Sequence, residues 1–383
     1  MASFSPAASR VDPRVAVEWR PLAEVDREAW QRLASASLEP NVFYEPAFAL
    51  AAAPLFGAGV NCLLAWSDDT PRRLVGLWPL RVARRRYGVP LPLLEGWTHP
   101  FAPLGAPLID RHAADAVLAA WFARLSADRS LPAHVLQPFM PNEGPLAAAF
   151  DRAVAPHPQE RFAIHARAVL RPQPEHAPAL ALDSRKRKEL RRQRRRLEDH
   201  GPLQDVAATS PEAVAAALAD FLTLEAAGWK GRAGTAAAID PRVASFMTEA
   251  VAALAVRGRV RIDRLLLSGR SIAAAITLFS EQAAWFWKIA YDEDHARASP
   301  GVQIALDLSE ALLARGDLDR VDSCATAGHP MIDHLWRGRM ELADRLVSLR
   351  DDGVPFAVLV RLERLRRSAI EAARSLRAAL HRS

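Results

Sequence analysis

Cysteine is scarce in this chain. Only Cys62 and Cys324 occur among 383 residues, and they fall in different halves. That argues against a disulfide framework and makes the cytoplasm the expected location. No run of about 18 apolar residues exists, so no membrane-spanning helix is expected. Residues 1–14 lack an apolar h-region; they read as a disordered lead rather than a secretory signal. The histidines are scattered, and with two cysteines they make no metal-ligand spacing, so no metal is expected. No internal repeat is visible, although both halves alternate helical and strand patterns.

What is present is ordinary in bulk and unusual in one place. Half the residues are hydrophobic and a quarter are charged, as in a globular protein. The length exceeds one ordinary core, so two domains are expected. The net charge of +6 is local. Nine basic residues lie between Arg185 and Arg196, opposed there only by Glu189; outside that segment 41 basic face 43 acidic residues. The basicity is therefore one element, not a general polyanion-binding surface.

Patterning places strands at 15–19, 62–66, 74–82, 133–138 and 162–170, with helices at 21–36, 46–53, 113–126 and 144–154. The proline- and glycine-rich stretch 90–107 reads as a long loop. Three prolines in 171–179 mark a linker. A basic helix follows over 183–200, with Leu182, Leu190 and Leu197 as one narrow apolar stripe. Helices are expected at 211–229 and 241–257, then a three-strand meander at 260–267, 272–279 and 284–291. A helix over 301–314, a strand over 320–324, a short helix over 331–337 and a strand over 342–349 complete this half. From 356 the chain reads as a helix with Leu362, Leu365, Ala369, Ala372 and Leu376 at heptad-like spacing. The expected division is 1–14, an N-terminal domain 15–170, a linker 171–183, a C-terminal domain 184–350 and a terminal helix 351–383. The fold class is α/β (α+β).

The chemistry concentrates between Trp285 and Trp336. Strict alternation would put Trp285, Trp287, Ile289 and Tyr291 on one face, and Phe286, Lys288, Ala290 and Asp292 on the other. Lys288 is then either paired with an acid or the polar floor of a cleft. Ser299-Pro300-Gly301 opens a helix whose free N–H groups and dipole favour an anion, with Arg297 available to assist. The same tripeptide is also a common helix start. Trp229 and Lys230, beside Gly231, are either a helix end or an acceptor-binding wall. Asp333 and Arg337 suit an i,i+4 ion pair, Trp336 suits a core, and Cys324 reads as a small buried residue.

Three strands, a glycine-opened helix, a strand and a helix resemble the core of the GNAT acyltransferase fold. The resemblance sharpens with Phe221-Leu222, Glu225, Gly228-Trp229-Lys230-Gly231, Lys288-Ile289-Ala290-Tyr291-Asp292-Glu293, Ser299-Pro300-Gly301 and Asp322-Ser323-Cys324. These words resemble the acetyltransferase domain of the CelD/BcsL family, over about 184–343. That family is related to the FemABX transferases, which have tandem GNAT-like domains. The N-terminal half resembles a degenerate GNAT-like domain without a glycine-rich acyl-CoA loop. The resemblance implies acyl-CoA, acetyl-CoA in the simplest case, as co-substrate and direct attack by an amine or hydroxyl acceptor. It implies phosphate binding at Gly301, Val302 and Gln303 with Ser299 and Arg297. Tyr291 or Asp292 would lie near the reacting carbonyl and Asp322 would be the base, with His329 and His334 as alternatives. Trp229, Lys230 and Lys288 would bind the acceptor, a small molecule or glycan precursor in polysaccharide or envelope synthesis.

The basic helix leaves two further readings open. Its cations suit a tRNA or an anionic lipid surface, and FemABX relatives use aminoacyl-tRNA. A tRNA-dependent transferase is one alternative, and a non-catalytic module on an anionic polymer or membrane is the other. The helix carries no aromatic residue to stack bases, so a single-strand platform is not expected.

Overall fold

The computed structural model describes residues 15–85, 91–172 and 180–380. The expected lead 1–14 and residues 173–179 of the expected linker lie outside them. The strands are β1 (Val15–Pro21), β2 (Val60–Ser67), β3 (Leu74–Ala83), β4 (Leu93–Gly96), β5 (Leu108–Ile109), β6 (His134–Pro141) and β7 (Gln159–Leu170). They continue as β8 (Leu203–Ala208), β9 (Val260–Leu267), β10 (Arg270–Ser280), β11 (Ala283–Tyr291), β12 (Arg320–Asp322) and β13 (Gly338–Ser348). The helices are α1 (Arg27–Ala36), α2 (Pro46–Phe56), α3 (Ala114–Ala127), α4 (Pro145–Val154) and α5 (Ser184–Glu198). After them come α6 (Pro211–Ala227), α7 (Trp229–Arg232), α8 (Pro241–Ala255), α9 (Pro300–Ala314) and α10 (Phe356–Leu380).

All strands join one sheet in the order β1-β2-β3-β4-β6-β13-β7-β12-β11-β10-β9-β8, with β5 on β3. Its two halves follow one plan. β1 to β4 are antiparallel and β4 pairs β6 in parallel; β8 to β11 are antiparallel and β11 pairs β12 in parallel. Each half then lends its last strand to the other: β7 lies between β12 and β13, and β13 pairs β6. Alternation is weak in β10 because it is buried on both faces and reads as an almost unbroken apolar run.

One core spans both halves. Phe48 of α2 lies 5.5 Å from Phe246 of α8 and 5.6 Å from Trp287 of β11, and Phe43 lies 5.9 Å from Trp285. A second core forms under α9 on the other face of β9–β12 and takes in Leu197 of α5. Asp183 caps α5 by accepting from Lys186 N at 2.6 Å; of the stripe leucines, Leu190 and Leu197 are buried and Leu182 is half-buried. Arg194 anchors this helix to Asp307 of α9 at 2.8 Å and to Asp205 of β8.

Several expectations change. The stretch 90–107 is a loop apart from β4, but its described residues are mostly buried. β8 was not anticipated, because Leu203–Ala208 has only a weak apolar alternation. Residues 331–337 hold only a 3-10 turn, Ile332–His334, and Asp333 makes no ion pair with Arg337; Arg339 instead donates to the Asp333 carbonyl at 3.0 Å. α10 docks on the sheet through Leu359 and Val360, which are buried against Leu93, Leu136, Phe162 and Leu346. Leu365 on the expected heptad face is exposed, and the side chain of Leu376 lies outside those described. Among the described residues no helix is long and apolar enough to cross a membrane.

Where the halves exchange strands, Arg167 of β7 and Asp322 of β12 form an ion pair at 2.7 Å, both almost fully buried. Arg167 also donates to the Pro103 carbonyl at 3.0 Å, and Asp322 accepts from Cys324 N at 2.9 Å. Removing one charge of such a pair leaves the other uncompensated, which costs about 3–5 kcal/mol. Asp322→Asn is therefore expected to lower the unfolding free energy by an amount in that range, read as a fall in the urea midpoint multiplied by the m-value. An Arg167→Met, Asp322→Leu double variant is expected to recover most of it. A midpoint unchanged in Asp322→Asn would contradict the structural role.

Candidate active site

The site arises because β11 and β12 part. β11 keeps its partner β10 over 283–291 but meets β12 only at Ala283–Trp285. Beyond Trp285 the edge of β11 facing β12 has no strand partner among the described residues. A bulge lies at the same place: Ile276 faces Lys288 and Thr277 faces Phe286, leaving Trp287 extra. The bulge breaks the expected alternation. Trp285, Trp287 and Ala290 join the core shared with α2 and α8, whereas Phe286, Ile289 and Tyr291 face the core under α9.

The parted strands enclose a cleft of about 630 Å³. Its walls come from Phe286 to Tyr291 on one side and from Ser323 to Thr326 on the other, closed by α7, the start of α9 and residues 329–332. Two residues in this lining, Ser299 and Cys324, hold left-handed backbones (φ 51° and 54°), a conformation that is costly for non-glycine residues.

At the start of α9, Val302 N and Gln303 N both donate to the Ser299 carbonyl, at 3.0 and 3.1 Å. Pro300 has no N–H, so Gly301 N is the amide left at this end. Gly301 touches the ring of Tyr291: a Cβ there would stand 2.9 Å from Tyr291 Cδ1. Gln303 is buried and donates to the Ala298 carbonyl, and Arg297 is exposed outside the cleft lining.

The other end of the cleft holds the ionisable groups. Lys288 Nζ lies 4.3 Å from the centre of the Phe101 ring, with no carboxylate ion pair among the described residues. Burial, reinforced by the Lys230 cation, pushes the Lys288 ammonium down to about 8, against the pull of Glu225 and Cys324. Lys230 donates to Glu225 at 2.7 Å, and the buried Glu225 also accepts from Ala237 N at 2.9 Å. Glu293 accepts from Trp229 N at 2.6 Å and pairs with Arg232; these contacts hold its carboxyl below the usual range. The Trp229 ring is 56% exposed at the cleft mouth. Its helix α7 is tight: a Cβ on Gly231 would collide with the Ala226 carbonyl at 1.8 Å, so Gly228, not Gly231, ends the preceding helix.

Of the expected site residues, Tyr291, His329, Ser299, Gly301, Val302, Trp229, Lys230 and Lys288 share this cleft. Asp292 does not line it; it caps the turn after β11 by accepting from Asp294 N and pairs with Arg270 at 3.2 Å. Asp322 is committed to Arg167, and His334 is exposed elsewhere. His329 accepts from Met331 N and Ile332 N through Nδ1, and burial holds its pKa below the ordinary value against the pull of Asp333. Burial likewise raises the Cys324 thiol well above its ordinary range. The sequence carried no signal for Phe101, which is 187 positions from Lys288. Among the described residues no group of three or more His, Cys, Asp or Glu is placed to hold a metal.

The N-terminal half has the same parting between β4 and β6, but it is filled. Gln137 donates to the Gly105 carbonyl at 2.6 Å and accepts from Trp78 Nε1 at 2.5 Å. A Cβ on Gly96 would lie 2.1 Å from Gln137 Oε1, and one on Gly105 would lie 1.9 Å from the Pro138 carbonyl.

No curated protein matches the sequence. Among solved structures, a conserved protein of unknown function from Bacteroides thetaiotaomicron aligns at a TM-score of 0.51 and 11% identity, over 87% of this chain and 100% of that one. FemX aligns at a TM-score of 0.51 and 9% identity, over 85% of this chain and 96% of its own. At such identities the likeness is one of fold. Residues 184–329 match the family model of the acetyltransferase (GNAT) domain, so the cleft lies within a GNAT-type acyltransferase fold.

Proposed function

We propose that the cleft transfers an acyl group, acetyl in the simplest case, from acyl-CoA to an amine. The observation that carries this reading is the parting of β11 and β12 with the start of α9 at one end and Lys288 at the other. The pantetheine arm lies along the unpaired edge of β11, with the pyrophosphate beside Gly301. Lys288 is three residues from Tyr291, about 10 Å along a strand. The thioester therefore lies near Lys288, and Tyr291 forms the wall beneath the phosphate end. Free N–H groups of the β11 edge polarise the carbonyl.

Lys288 takes the chemical role. Its neutral amine accepts a proton as the acceptor nitrogen attacks the thioester carbon. The C–S bond breaks, and the resulting ammonium returns that proton to the departing thiolate. A group with a pKa of about 8 suits both steps, because an ordinary thiol titrates near 8.5. Trp229 and Lys230 receive the acceptor at the mouth. The resemblance to CelD/BcsL proteins supports a glycan-precursor acceptor. The division into two GNAT-like units at 171–183 is part of the same reading, supported by the repeated strand plan.

The exposed cations of α5 favour a second reading, with aminoacyl-tRNA as donor. Arg185, Lys186, Lys188, Arg191, Arg195 and Arg196 are exposed. A tRNA held there would bind with a log affinity falling by roughly 0.7–0.9 per phosphate contact for each decade of salt. Flat binding across that range would remove this reading.

Acetyl-CoA is expected to raise the melting temperature in step with the logarithm of its concentration above Kd, by the equivalent of ~2.7 kcal/mol at a hundredfold excess. Gly301→Trp should abolish the rise, because even a Cβ meets the Tyr291 ring. No shift with any acyl-CoA in the wild type would sink the CoA reading. Lys288→Met is expected to slow transfer about 10²–10⁴-fold. Lys288→Arg should not rescue it, because arginine stays protonated. The wild-type rate should climb as pH rises through about 8, where the neutral amine becomes the main form.

A further inference from the structure

The N-terminal half has a filled cleft, yet it reaches the open one. After β4 its chain bends through His99, bridged to Ala102, and presents Phe101 to β11. Trp287 Nε1 donates to the Phe101 carbonyl at 2.9 Å, which fastens this bend beside the bulge. The Phe101 ring is held by Phe246 at 5.4 Å and Phe56 at 5.8 Å, and its face covers Lys288 Nζ. Arg167, at the strand exchange, grips the same bend through the Pro103 carbonyl.

We propose that Phe101 is a positioning residue of the C-terminal site: the N-terminal half supplies it as the wall that keeps water from the side of Lys288 not turned to the cleft and so holds that amine ready to accept a proton. The proposal rests on Lys288 as the proton acceptor. Of the charged and titratable groups around Lys288, only the Lys230 cation pushes the same way as burial, and it is the smaller cause. Glu225, which favours its ammonium form, is already bonded to Lys230 and Ala237 N. Cys324 is held as the neutral thiol by burial. His99, pushed down to about 3 by burial and by Lys288 itself, is neutral. Lys230 disfavours the ammonium, but burial is the larger cause, and Phe101 is the ring lying over the amine. The ring also attracts a cation, which opposes the effect by roughly 0.5–1.5 pH units as the pair goes from wet to desolvated, still less than the several units that burial can command.

Competitive labelling of Lys288 with acetic anhydride, read by mass spectrometry across pH, measures its titration without relying on activity. The wild-type midpoint is expected near 8. Phe101→Ala, which lets water in, should raise it by about one unit or more and move the rising limb of the transfer pH profile equally. Phe101→Leu, which keeps an apolar cover but loses the ring's attraction for the cation, should not raise it and should lower it by at most roughly 1.5 units. Should Phe101→Ala fail to fold, Trp287→Phe, which frees the bend but keeps a ring, should give a smaller rise. A wild-type midpoint at the ordinary lysine value, or one unmoved in the folded Phe101→Ala or the Trp287→Phe protein, overturns the proposal. If transfer proceeds while Lys288 titrates ordinarily, the wall fails and the acyl-transfer reading survives. If the midpoints shift as expected but no acyl-CoA is turned over, the wall stands and that reading fails.

Discussion

The buried pair between Arg167 and Asp322 is the contact on which the architecture turns. It sits where β7 enters the other half and lies against β12, at the last residue before β11 and β12 separate. Two opposite charges taken out of water are tolerable only together. Their pairing ties the exchanged strand to the edge of the cleft. Through the Pro103 carbonyl it also holds the bend that carries Phe101. One interaction thus links the fusion of the halves, the mouth of the parted strands and the wall over Lys288.

The parting of the strands gives this fold its chemical opportunity. A fully paired sheet has no free N–H groups and no room between strands. Here three paired residues give way to a bulge, and the edge of β11 is released into a cleft. The N-terminal half shows the opposite outcome of the same plan, with Gln137 filling the gap. The repeated topology therefore does not imply repeated function. One half keeps the opening, and the other helps to enclose it.

Electrostatics sort the cleft residues. Glu225 with Lys230 and Glu293 with Arg232 are satisfied pairs that fix α7 at the mouth. Lys288 has an aromatic ring where a carboxylate would otherwise sit, so burial acts on it with little compensation. Asp322 and Asp292, plausible bases by their place at strand ends, are engaged by arginines. Position along a strand marks a residue as near the chemistry, but partners decide whether it is free to act.

The sequence by itself determined the elements of the second half. Strong periodicity, proline at helix starts and glycine turns located α6, α8, α9 and the meander to within a few residues, because these are local preferences of the backbone. Eight of the residues singled out in the sequence share one cleft, though the fold and not the chain words brings Trp229 and Lys230 to Gly301. Tertiary structure alone decided the rest. The bulge at Trp287 depends on cross-strand register with β10, so alternation read from one strand misassigned the faces. The exchange of β7 and β13, the commitment of Asp322 to Arg167 and the cover of Phe101 over Lys288 join residues far apart in sequence. No local propensity encodes such meetings; they follow from packing two half-sheets into one core.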